Sequence, residues 1–458
     1  MTDVDLLIAD ARTVATLDDE GRELDGAWVA VDDGVVTALG TDPAAAPTAR
    51  RRIDAGDCLV TPGFINTHHH MFQNLTRAYP PMTAAPLFGW LSTLYPLWRR
   101  LDEEAAYTSA WVGLAELAVG GCTTSTDHLY LHPAGAGDLI GATVAAARDL
   151  GFRFHPTHGS MSLSQKDGGL PPDDVVSDDE DAILAESERL VAAFHDPDPL
   201  AMVQVALAPC SPFTVSPELM TRTAELAERL DVRLHTHLAE NAEDDEFCLE
   251  RFGRRPVDHF TDVGWLGPRS WVAHCVRPDA DEITRLGAAG VGVAHCPSSN
   301  LILASGIAPV NRFLAAGVAV GIGCDGSSSA DAGSLWQETR LAMLLAKSLD
   351  GPASMTARRA LSMATEGGAR CLGRAGHLGR LAVGSAADLV LWKLDGPTFA
   401  GAVSDPVEAL LRCGPTSAHY TIVAGRVLVE EGRLVHPALD DRLADHRRIA
   451  TRFQDEGS

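Results

Sequence analysis

The sequence predicts an α/β protein, a (β/α)₈ barrel joined to a small β-sandwich built from both termini. Three observations carry this reading. Short β-rich runs alternate with helical stretches eight times through the middle of the chain, the pattern of a parallel barrel. Both ends are instead rich in strands and turns. Polar residues able to do chemistry recur where the central β runs end, the face on which such a barrel carries its site. The expected divisions are a sandwich part over 1–60, the barrel over 61–376, and a second sandwich part with a terminal helix over 377–458.

In chain order, LLIADARTVATL, DGAWVAVDDGVVTALG and CLVTPG are apolar or alternating runs broken by DDG- and GD-type turns. ADLVLWKLD and HYTIVAGRVLVEEGRLV echo them at the far end. The eight central runs are FINTHHH (64–70), TTSTDHLY (123–130), FRFHPTHGSM (152–161), MVQVALAPC (202–210), VRLHTHLAE (232–240), WVAHCV (271–276), VGVAHCP (291–297) and VAVGIGCDG (318–326). Helical stretches lie between them. DEEAAYTSAWVGLAELAVGG is one, and SPELMTRTAELAERLD opens on a Ser-Pro start signal. The acidic stretch DDVVSDDEDA reads as a solvated turn or helix cap.

Composition narrows the function. The chain has 458 residues, 46% hydrophobic, enough for one large domain and a smaller one. Its formal charge of −25 and the lack of a Lys/Arg cluster argue against a nucleic-acid partner. No apolar run reaches membrane-spanning length, so no membrane is expected. The N-terminus is acidic where a secretory signal is basic. The nine cysteines form no CxxC pair, as in a reduced cytoplasmic protein. The expected location is therefore the cytoplasm.

The ends of the β runs carry the chemistry. A strand alternates faces, so His68 and His70 point together into the barrel while His69 points away. Two imidazoles make half of a catalytic metal site, which takes about three protein ligands and leaves a position for water. His237 on the fifth run and Asp325 on the eighth supply the rest. Glu240, three residues after His237, faces the site without binding the metal, and His274 ends the sixth run. His235 shares the parity of His237 but lies deeper, as a core or supporting group. His128, His155 and His158 also end runs, and each reads more simply as a satisfied polar group. Trp90, Tyr95 and Trp98 suit either stacking on a flat ring or packing in a lid helix.

Taken together, PGFINTHHH, HTHLAE, the AH of the sixth run and the CDG of the eighth resemble the amidohydrolase superfamily over nearly the whole chain. The likeness is greatest to the branch of cytosine, guanine and 8-oxoguanine deaminases and triazine hydrolases. LFGWLSTLYPLW, GSMSLSQKDGGLPP, LAPCSPFTV, DDEFCLERFG and HCPSSNLILASG resemble the 8-oxoguanine deaminases in particular. The resemblance implies one divalent metal, Zn²⁺ first and Fe²⁺ as the alternative, held by His68, His70, His237 and Asp325. It implies that Glu240 shuttles protons, that His274 orients or polarises water or substrate, and that Asp325 takes the proton of the attacking water. It places Gln73 against the base, Trp90 in the pocket wall and His158 at a substrate-binding position. It also implies a homo-oligomer, for which the apolar region 84–98 offers a contact.

Two positions depart from the family pattern. His158 stands where an arginine precedes GSMSL, and Ile302 stands where a basic residue is usual. Other members bridge two metals through a carbamylated lysine on the fourth strand. MVQVALAPC has none, and the only lysines are Lys166, Lys347 and Lys393, so a mononuclear site is expected. The implied reaction is hydrolytic deamination of an aminated heterocycle, 8-oxoguanine to urate and ammonia. The alternatives are guanine, isocytosine, a pterin or a hydroxytriazine, and, more distantly, a non-catalytic scaffold on the same barrel.

Overall fold

Eight short parallel strands close a barrel in the computed structural model, which describes residues 3–455 apart from Thr83 and Asp178. They are β1 (Phe64–Asn66), β2 (Cys122–Leu129), β3 (Arg153–Ser160), β4 (Ala206–Pro209), β5 (Leu234–Leu238), β6 (Ser270–His274), β7 (Gly292–His295) and β8 (Ala319–Ile322). β8 pairs with β1 through Ile322 and Asn66 and shuts the ring. Several strands are shorter than their apolar runs. β1 stops at Asn66, four residues before His70.

The segment beyond β1 nevertheless stays extended, because its backbone remains bonded on both sides. Thr67 N–H donates to Ile322 O at 3.0 Å, Asp325 N–H to His68 O at 3.0 Å, and His128 N–H to His69 O at 2.6 Å. That pairing keeps the strand parity past the strand's end, so His68 and His70 still face one way. His69 is buried away from them, and neither of its ring nitrogens has a hydrogen-bond partner.

Helices begin where the sequence offers caps. Asp102 accepts Ala105 N–H at 2.8 Å ahead of Glu103–Val119, and Ser216 accepts Leu219 N–H at 2.9 Å ahead of Pro217–Leu230. Asp179, from the acidic stretch, caps Glu180–Phe194, while Asp178 lies outside the described residues. No helix among the described residues is long and apolar enough to cross a membrane.

The two ends of the chain build one nine-stranded sheet. Leu389–Lys393 runs antiparallel to Cys58–Pro62 and joins the C-terminal strands to the N-terminal ones. Eight of the sheet's strands form one hydrogen-bonded path, and the ninth, Ala49–Asp54, pairs off that path with Val4–Ala15. A bridge between Val35 and Ala386 helps close the sheet around Ile8, Val29, Leu389 and Ile422. Cys58–Pro62 leads straight into β1 through Gly63, where a Cβ would lie 2.1 Å from Thr123 Oγ1. Only glycine permits that approach. A buried pair, Arg153 to Asp388 at 2.8 and 3.0 Å, ties the barrel floor to the sheet.

Two further elements shape the mouth. Helix Leu87–Trp98 covers it from between β1 and β2, and Leu87, Trp90, Leu91, Leu94, Tyr95, Leu97 and Trp98 are buried within the chain. This consumes most of the apolar surface that the sequence offered for a subunit contact. The C-terminal helix Leu439–Gln454 grips the turn Met71–Thr76 from outside, through His446 Nε2 to Asn74 Oδ1 at 2.7 Å and Gln454 Nε2 to Leu75 O at 2.8 Å.

Candidate metal centre and active site

At the C-terminal mouth of the barrel, three imidazoles and a carboxylate converge. His70 Nε2 lies 3.2 Å from His237 Nε2 and 3.3 Å from Asp325 Oδ1, and His68 Nε2 lies 3.2 Å from Asp325 Oδ1. The other ring nitrogen of each histidine is spoken for. His70 Nδ1 donates to His128 O at 2.7 Å, and His237 Nδ1 donates to Cys210 O at 2.7 Å. A carbonyl can only accept, so both Nδ1 atoms carry a proton, and in the neutral ring Nε2 is the nitrogen that presents a lone pair.

His68 reaches the same state through a relay. His235 Nδ1 donates to Trp271 O at 2.9 Å, which leaves its Nε2 to accept from His68 Nδ1 at 2.8 Å. His68 Nε2 is thereby left buried and without a hydrogen-bond partner. His235 also stacks on the Trp271 ring at 4.4 Å. It is thus the supporting group that fixes His68, as its depth on β5 suggested. His128 lies alongside, stacked on His237 at 5.0 Å with Nε2 donating to Ala208 O at 2.9 Å.

Burial holds His68 and His237 well below the usual histidine range, so both are neutral. Asp325 turns Oδ1 to His68 and His70 and Oδ2 to His274. Three lone pairs and an anion packed this closely repel one another unless a cation stands among them. The donor set therefore fits one divalent metal: His68 and His237 can share an ion with His70 and His128 on one side and with His274 and Asp325 on the other.

Glu240 and His274 stand beside this cluster. His274 Nε2 lies 3.7 Å from Glu240 Oε2 and 3.8 Å from Asp325 Oδ2, while its Nδ1 donates to Asn300 Oδ1 at 2.9 Å. Burial raises the Glu240 carboxyl. Burial lowers the His274 imidazole, but Glu240 and Asp325 more than reverse it, so the net direction is upward. The strand exits are bent sharply: Ala239, His274, Cys275 and Asp325 all adopt left-handed backbone, with φ of 50°, 68°, 46° and 60°. Such non-glycine conformations cost about 1–3 kcal/mol each and collect where a site demands them.

The cluster opens on a cavity lined by Gln73, Trp90, Tyr95, Glu240 and His274 among others. Gln73 Oε1 is buried with no hydrogen-bond partner. A Cβ at position 326 would lie 1.8 Å from that oxygen, so Gly326 makes room for the amide. Trp90 donates Nε1 to Ser328 O at 3.3 Å and presents its ring to the cavity. Trp98 is a packing residue, with Nε1 on Thr76 Oγ1 at 3.0 Å.

His158 is not in this cavity. It points outward from β3 to helix Glu180–Phe194, where its Nδ1 meets Ser187 Oγ at 2.8 Å. It lines a neighbouring cavity with His132 and Glu186. The reason is parity. His155 is buried against the Trp271 ring at 5.7 Å, so the alternate residue His158 is directed out. Ile302 is also out of reach, 47% exposed, and its neighbour Leu303 lines the cavity instead. The sequence reading missed Tyr130, Cys210, Ser211, Phe213 and Ser329 as wall residues. Their only signal is position, just past the ends of β2, β4 and β8.

A family model for the amidohydrolase family matches residues 59–428. The chain belongs to the amidohydrolase family. An 8-oxoguanine deaminase of Pseudomonas aeruginosa is 48% identical over 94% of this chain and 95% of its own. A hydroxydechloroatrazine ethylaminohydrolase of Pseudomonas sp. strain ADP is 38% identical over 93% of this chain and 91% of its own. Among solved structures, the atrazine chlorohydrolase of Arthrobacter aurescens TC1 complexed with zinc superposes with a TM-score of 0.92 at 36% identity, covering 97% of this chain and 100% of that one. Members of the family bind a divalent metal, as the donor set here allows.

Proposed function

We propose that this chain is a metal-dependent aminohydrolase that converts 8-oxoguanine and water to urate and ammonia. The observation that carries it is Glu240, a carboxyl raised above its ordinary range by burial, in the cavity lined by His70, His237 and Asp325 of the cluster. A carboxyl beside the reacting ring can give up and regain a proton, which an amine leaving group requires. The likeness to the Pseudomonas deaminase supports the choice of ring.

His68, His70, His237 and Asp325 would hold the metal. The His₃Asp donor set and the zinc in the related chlorohydrolase favour Zn²⁺ over Fe²⁺. When bound, the metal acidifies water to a pKa near 7. The protein's own groups do the rest. Asp325 turns Oδ1 to the histidines and Oδ2 toward His274, and accepts the proton of the attacking water. His274, fixed by Asn300, aims Nε2–H between Glu240 and Asp325 and orients that water. Glu240 protonates the ring nitrogen beside the reacting carbon, takes up the proton of the newly added hydroxyl and passes it to the departing amine, and the proton that Asp325 took from water then restores Glu240. Gln73 offers a donor and an unpaired acceptor to a lactam edge. Leu87, Trp90, Leu91 and Phe213 exclude water and keep the Glu240 carboxyl raised.

A second reading, another ring such as guanine, isocytosine, a pterin or a hydroxytriazine, is favoured by the likeness to the ethylaminohydrolase and by the largely apolar roof. Ammonia release from 8-oxoguanine, guanine, isocytosine, isoxanthopterin and hydroxyatrazine separates the two, with mass spectrometry reading the alkylamine lost from the last. Preference for 8-oxoguanine is expected, and its inertness beside turnover of another ring would select the second reading. Glu240→Gln should keep its metal and lose about 10²-fold or more in kcat. Full activity would remove Glu240 from the shuttle role.

A further inference from the structure

Glu240 occupies its place only because the chain turns sharply at Ala239, and the means of holding that turn are visible. Ala239 is neither glycine nor asparagine, yet its φ is 50°. Its carbonyl accepts Val276 N–H at 2.9 Å and Arg277 N–H at 3.0 Å, and Leu238 O accepts Cys275 N–H at 3.1 Å. The exit of β5 is thereby laced to the exit of β6, where His274 and Cys275 are also left-handed. The amide side of the turn has one partner. Glu240 N–H donates to Asp244 Oδ2 at 3.3 Å, and the Ala239 N–H faces the same carboxylate.

Asp244 is an unusual residue for its position. It is 1% exposed, in the first turn of helix Ala242–Phe252. Its own amide is satisfied by Asn241 Oδ1 at 2.9 Å, so it is not needed as a cap. It has no ion pair among the described residues, and its Oδ1 meets only the weak donor Cys248 Sγ at 3.8 Å. The arginines nearby go to its neighbour, with Arg277 Nε on Asp245 Oδ2 at 3.0 Å and Arg255 at 3.7 Å. Burial pushes the Asp244 carboxyl up to about 7. A buried carboxylate that engages no cation is costly and is retained where its acceptor oxygens are needed.

We infer that Asp244 is a positioning residue for Glu240: its carboxylate holds the amides of the Ala239–Glu240 turn and so keeps Glu240 Oε2 within 3.7 Å of His274 Nε2. The inference rests on the shuttle role given to Glu240 and adds a residue that acts only through it.

The test is a kinetic cycle on the full-length, metal-loaded protein, using whichever ring the wild type deaminates. Asp244→Ala should lower kcat about 30-fold with KM changed less than about threefold and with metal content unaltered. The same substitution made on Glu240→Gln should cost less than about threefold, because a group that acts through Glu240 has nothing left to position. Asp244→Asn, whose amide oxygen still accepts from the turn, should stay within about fivefold of wild type, and it provides the reading should the alanine variant not fold. Equal losses in both backgrounds, an unimpaired Asp244→Ala, or an Asn variant that loses as much as 30-fold would each overturn the inference while leaving the shuttle role intact. A fully active Glu240→Gln would overturn both.

Discussion

On the floor of the cavity, His70 and His237 are each fixed by a main-chain carbonyl, His128 O and Cys210 O, and His68 by a two-step relay through His235 to Trp271 O. The roof is different. Leu87, Trp90 and Leu91 come from a helix inserted between β1 and β2, Phe213 from the loop after β4 and Leu303 from the segment after β7. Phe88 meets Phe213 at 5.0 Å to close it. Floor groups are set by directional bonds to the barrel backbone, which leave each nitrogen one possible state. Roof groups are set by apolar packing, which is non-directional and tolerates exchange. The floor should therefore define the chemistry and the roof the ring that is admitted.

The sharpest way to break this contrast is to remove a floor group. His237→Ala should lose bound metal, read by elemental analysis, and roughly 10³-fold or more in activity, the scale of several kcal/mol of lost activation. Full metal occupancy would take His237 out of the donor set. One layer further down, His235→Ala should reduce metal affinity or activity by about 10- to 100-fold, since the relay that directs His68 Nε2 is cut. An unchanged metal affinity would mean that the strand alone directs His68. In the roof, Trp90→Ala should raise KM about tenfold, near 1.4 kcal/mol, with kcat little altered and metal intact. A loss confined to kcat would place Trp90 with the floor. The smallest effect belongs to His158→Ala, with substrate preference shifted less than about twofold because the side chain faces the helical layer and not this cavity. A marked change in preference would restore it as a substrate contact.

The same contrast explains what was legible in the sequence. His68, His70, His237, Glu240, His274 and Asp325 lie at or just past the ends of apolar runs, where strand period and barrel topology fix direction, and the structure brings all six together. His158 met the same positional criterion but not the parity one, and parity on β3 is visible only once His155 is seen against Trp271. Ile302 and Leu303 are neighbours of similar chemistry, and the bend after β7 decides which one reaches the cavity. Nothing local marks Cys210 or Ser329 as wall residues.

The sequence by itself determined the barrel, the two-ended sheet and the identity of the groups around the metal position. Each follows from a short period in the chain: two residues for the strands, and one βα unit per strand for the barrel. Only the tertiary structure decided the tautomers of the three histidines, the left-handed exits that bring Glu240 to His274, and the membership of the roof. Those depend on carbonyls, amides and side chains tens to hundreds of residues away in the chain. For the histidines, those partners lie on neighbouring strands of the barrel or across it.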